Sequence, residues 1–80
     1  IHMSTEAQLA ETARRHFAGR DGLLLLDVDM GRLDGDVVWE PSRGGALFPH
    51  LYAALPVAAV VATRAFKVDA EGRMTIGEAA

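Results

Sequence analysis

Trp39-Glu40-Pro41-Ser42-Arg43-Gly44-Gly45-Ala46-Leu47-Phe48-Pro49-His50-Leu51-Tyr52 is the stretch on which the reading of this chain turns. It holds the only Trp, the only Tyr and two of the three Pro, so rigid backbone and most of the chemistry sit together. Val37-Val38-Trp39-Glu40 is β-rich and stops at Pro41, which has no N–H to give a ladder. Residues 42–45 form a loop. Pro49 then reads as the first residue of a helical turn over residues 49–55, where its missing N–H costs nothing.

Working outward toward the N-terminus, residues 23–29 form a short apolar run ending in acid. Its length and lack of helical alternation predict a strand buried on both faces. Before it, Thr5 and Gln8 have capping-box spacing, and Leu9, Ala10, Ala13 and Phe17 recur as one helical face. Arg14, Arg15 and His16 suit the last turn, with Gly19 just past the end. Residues 1–3 read as the tail of a strand. Toward the C-terminus, Pro56 opens a brief turn over residues 57–59, and residues 60–68 alternate as a strand. Residues 69–72 then connect as a hairpin to a return strand over 73–76, and residues 77–80 fray. The order is α+β: a small, mostly antiparallel sheet with one main helix.

Eighty residues make a single domain, residues 1–80, of marginal size for a hydrophobic core. Half the residues are hydrophobic, which argues against disorder. A net charge of −3 without a basic stripe speaks against nucleic acid as a partner. With no Cys there is no disulfide framework and no thiolate metal site. No apolar run approaches the ~20 residues that span a bilayer, and residues 1–4 lack the basic-then-apolar layout of a signal peptide. The expectation is a cytoplasmic protein without membrane contact.

Several residues carry candidate chemistry. Glu40, between Trp39 and Pro41, suits proton transfer or a ribose hydroxyl; it equally suits capping the strand and pairing with Arg43. Arg43 beside Gly44-Gly45 suits a phosphate, or the segment is a flexible turn. His50 is either an acid–base group or a satisfied structural residue, and Tyr52 either stacks on a planar ligand or packs in the core. His2 and Ser4 share one face of a strand, unless Ser4 caps the helix. His2, His16 and His50 have no ligand spacing, so no metal site is expected.

Two segments resemble one family. Ile1-His2-Met3-Ser4-Thr5 with Gln8, and Thr12-Ala13-Arg14-Arg15-His16-Phe17-Ala18-Gly19, are similar to the first motif of the bacterial domain of unknown function 952. The opening stretch, continued to Leu55-Pro56, is similar to its second. The resemblance covers roughly residues 1–68. It departs at Ala53, where the family has Gly, and in a strand and helix that the family carries before the Ile1-His2 position. The resemblance therefore implies a truncated chain with an unpaired sheet edge and a tendency to homo-oligomerise.

This family is similar in turn to the ADP-ribosyltransferase superfamily, and more distantly to NAD-dependent RNA 2′-phosphotransferases. That likeness implies an ADP-ribosylation-like fold with NAD, or a related small-molecule nucleotide, in a cleft between two small sheets, and no metal. The activity implied is transfer or hydrolysis of ADP-ribose. His2, Glu40 and His50 would be catalytic, and Ser4, Thr5, Trp39, Arg43 and Tyr52 would bind the cofactor. The other reading is a non-catalytic module in which the Trp39–Tyr52 stretch is a folding signature.

Overall fold

The helix starts where the capping box places it. In a computed structural model, which describes residues 1–79 and at Arg43 the backbone alone, α1 spans Glu6–His16. The Thr5 hydroxyl accepts from the Gln8 N–H at 3.2 Å, and the Gln8 side chain accepts from the Thr5 N–H at 3.0 Å. Glu6 lies in the first turn, and Arg14, Arg15 and His16 in the last, so charge and dipole agree at both ends. The helix closes at Phe17, two residues before the expected Gly19, whose N–H instead bonds the Asp69 carbonyl at 2.9 Å.

Eleven residues make a marginal helix in water, so packing must hold α1. Its Ala13 is fully buried against Phe66 and Val68, with Leu9, Phe17, Leu23, Leu25 and Met74 around them. Burying Phe66 and Val68 contributes about 1.5–3 kcal/mol each. These residues come from a three-stranded antiparallel sheet in the order β1-β4-β5, with β1 at Leu23–Val28, β4 at Val60–Val68 and β5 at Met74–Ala79.

The register sets which side of each strand meets the helix. Leu23 pairs with Phe66 and Leu25 with Arg64 on the helix side; Leu24 pairs with Ala65 and Leu26 with Thr63 on the other. Leu24 is 68% exposed and Leu26 44%. The expected burial of β1 on both faces is therefore corrected: the run is uniformly apolar, but among the described residues only one face is covered. At the β4–β5 turn the Asp69 carboxylate accepts from the N–H groups of Glu71 and Arg73, at 3.0 and 2.8 Å. β5 runs on to Ala79, so the expected fraying from residue 77 is also corrected; Ala80 lies outside the described residues.

The second sheet is the larger revision. β2 (Val37–Pro41) and β3 (Leu47–Leu51) pair antiparallel, so Pro49 lies in a strand and not at a helix start. Residues 1–3 pair along the other edge of β3: His2 bridges His50, the Met3 N–H bonds the Pro49 carbonyl at 2.9 Å, and the Leu51 N–H bonds the Ile1 carbonyl at 2.8 Å. Along β3 the odd positions face residues 1–3 and the even ones face β2. The N–H that Pro49 lacks would have pointed at Met3, where the chain leaves the ladder for α1. A proline is tolerated there because the missing bond lies where pairing ends.

Single 3-10 turns at Met30–Arg32, Arg43–Gly45 and Val57–Ala59 complete the chain. Among the described residues no helix is long and apolar enough to cross a membrane. The result is a small α+β molecule with one α-helix and antiparallel sheets.

Candidate functional site

Cross-strand partners share a face, so Glu40, paired with Phe48, and Val38, paired with His50, look to the same side of the small sheet. His2, bridging His50, joins them. The imidazoles of His2 and His50 stack with centroids 4.5 Å apart and planes 29° apart, and Phe48 meets His2 edge-on at 5.3 Å. His50 Nδ1 lies 2.9 Å from the Phe48 carbonyl and 3.6 Å from Glu40 Oε1. Both neighbours are acceptors, so Nδ1 carries the proton, and in the neutral ring Nε2 is the free acceptor. The Tyr52 hydroxyl donates to Glu40 Oε1. His2, His50, Glu40 and Tyr52 thus form one connected row.

The row alters its members. Partial burial, then the charge of His50, then those of His16 and the terminal amine, hold His2 below its ordinary value of 6.5. The hydrogen bond to the Glu40 carboxylate pushes the Tyr52 phenol above 10.0, because ionised Tyr52 would lose that bond and face a like charge.

Trp39 pairs with Pro49 and looks the opposite way. On that side lies an open cleft of ≈ 1590 Å³ between the two sheets and against α1, bordered by His2, Ser4, Thr12, Asp27, Trp39 and Arg64. Trp39 and Tyr52, both expected to face a ligand, are therefore on opposite faces. His2 alone touches both the row and the cleft. Ser4 bonds Thr12 at 2.9 Å between hydroxyls, and the Thr5 hydroxyl is the helix cap, so both sit at the cleft with a structural partner already. The Arg43 side chain lies outside the described residues.

The cleft also holds a pair that reading the sequence missed. Arg64 Nε donates to Asp27 Oδ2 at 3.1 Å, joining β4 to β1. A lone Arg in the apolar run of residues 60–68 and the first acid within residues 23–29 were the available signals. Their meeting depends on a register that local pattern does not contain.

Fold and site define a small α+β domain with a cleft between two sheets and a titratable row on the outer face of one of them. The chain belongs to the family described as "Protein of unknown function (DUF952)", which matches residues 1–63. Among solved structures it is similar to protein CC0527 from Caulobacter crescentus, with a TM-score of 0.81 and 44% identity over 94% of this chain. A double mutant of the same protein gives a TM-score of 0.80 and 43% identity, again over 94% of this chain. The chain spans 66% of the length of each of these relatives. No curated protein matches it.

Proposed function

We propose that the protein binds NAD or a related nucleotide in the cleft between its two sheets. The observation that carries this reading is the cleft itself: His2, Ser4, Thr5 and Trp39 border it, over an apolar floor that includes Leu25 and Phe66. Ligand sites are concave and mostly apolar, with a few convergent polar groups. At ≈ 1590 Å³ this one exceeds the roughly 300–1,000 Å³ usual for a small ligand and has room for a dinucleotide. Trp39 offers the planar face on which a base or nicotinamide stacks.

ADP-ribose transfer or hydrolysis is the activity that goes with this reading. The bond between nicotinamide and ribose breaks, nicotinamide leaves with the electron pair, and an acceptor or water adds its oxygen to the ribose carbon and gives up a proton. Of the three residues expected to be catalytic, His2 is the one at the cleft, so Glu40 and His50 would act through it as positioning residues. Millimolar NAD should raise the melting temperature, and His2→Ala should abolish the rise. Absence of any shift for the parent chain removes the reading.

One observation favours a second reading, for the row alone. On the face away from the cleft Glu40 accepts from the Tyr52 hydroxyl and lies 3.6 Å from His50, as a clasp between β2 and β3 would. On that reading Glu40→Gln lowers stability and leaves any NAD-induced shift unchanged.

A further inference from the structure

We infer that Arg64, oriented by Asp27, is the oxyanion subsite of the cleft and takes a phosphoryl group of the ligand. The inference rests on reading the cleft as a nucleotide site and names the residue that grips the charged part.

A guanidinium is planar and presents its donors on fixed edges. Asp27 engages Arg64 at Nε only, at 3.1 Å, and among the described residues no acceptor bonds the two terminal nitrogens. The edge formed by Nη1 and Nη2 is therefore unused, and its spacing matches two oxygens of a phosphate or carboxylate. Arg64 pairs with Leu25 on the cleft side of β4, and its side chain is 32% exposed. It is thus partly removed from water yet still reachable, so a ligand oxyanion replaces hydration that is already incomplete.

The other described arginine side chains with bonded partners are differently placed. Arg14 and Arg15 bind Glu11 on the exposed side of α1, Arg32 reaches the Ala58 carbonyl, and Arg73 closes the Asp69 turn. None of them borders the cleft. Asp27 fixes the direction of Arg64 and leaves its second oxygen to accept from a hydroxyl. A phosphorylated sugar, with an anion and hydroxyls a few atoms apart, matches that pair of groups.

The test is titration of the full chain with inorganic pyrophosphate, and separately with NAD, followed by calorimetry. Arg64→Gln removes the charge; Arg64→Lys keeps it and removes the two-donor edge. Circular dichroism on each variant establishes that the comparison is between folded proteins. Pyrophosphate should bind the parent, and Arg64→Gln should weaken it at least about tenfold, the scale of one lost charge-assisted hydrogen bond. Arg64→Lys should fall between the two. Failure of the parent to bind pyrophosphate, or equal binding by both variants, overturns the assignment. NAD bound equally by parent and Arg64→Gln overturns it while leaving the cleft as the nucleotide site. Pyrophosphate bound through Arg64 with no NAD binding keeps the subsite and removes the dinucleotide.

Discussion

His2 and His50 lie face to face, 4.5 Å between ring centroids, although the chain runs through α1, β1 and β2 between them. Two stacked imidazoles cannot both be protonated without repulsion, and His2 is already held below its ordinary value by burial and then by His50. A histidine depressed in the folded state binds its proton more readily once unfolded, so stability rises with pH through this window. The His2 contribution should be intact above 6.5 and lost progressively as pH falls below it. Melting temperature followed across that range should show the acid-side loss in the parent and a smaller one in His2→Gln. Identical profiles would mean that His2 is not linked to folding.

Tyr52 is the only tyrosine, so its ionisation can be followed alone by ultraviolet titration. Its phenol donates to the Glu40 carboxylate and should ionise above 10.0. Glu40→Gln keeps an acceptor but removes the charge, and should bring the midpoint back toward 10.0. An unchanged midpoint would show that the bond does not persist in solution.

Gly72 adopts φ +85, and a β-carbon there would meet Arg14 at 2.5 Å from Cγ and 3.2 Å from Cα. Alanine would therefore combine left-handed strain with a push against α1. Gly22, at φ +68, has nothing within 4 Å of its added carbon. Gly22→Ala should cost only the backbone term, about 1 kcal/mol, whereas Gly72→Ala adds an overpacking cost of about 1–3 kcal/mol. Chemical denaturation of the two variants measures the difference, and equal losses would mean that α1 yields freely at Arg14.

Local signals carried much of the fold. Thr5 and Gln8 act within one turn, and Asp69 and Gly72 within another, so α1 and the β4–β5 hairpin are readable without tertiary knowledge. β3 was not. Proline in a strand is excluded or tolerated according to where its missing N–H points, and at Pro49 that is decided by residues 1–3. The one-sided burial of β1 was hidden because four consecutive leucines carry no alternation.

The same limit applies to the site. Reading residues 49–55 as helical separates His50 from Tyr52, whereas a strand through Leu51 sets them on one face, the face that Glu40 shares from β2. The residues of the row were all picked out, but their order was not, and neither was the opposite facing of Trp39 and Tyr52. Arg64 and Asp27 meet only through the β1–β4 register.

The chain order of the sheets has a consequence for how the molecule assembles. β2 and β3 are joined by a short loop and can pair as soon as they exist, whereas β1 must wait for β4, which lies beyond that whole hairpin. Loop closure costs more for the distant pair, and folding rates fall as contacts become less local. The β2–β3 hairpin should therefore be the early piece and the β1–β4 seam the late one. A destabilising substitution at Leu25 would then speed unfolding more than it slows folding, and stopped-flow kinetics showing mainly slowed folding would reverse that order.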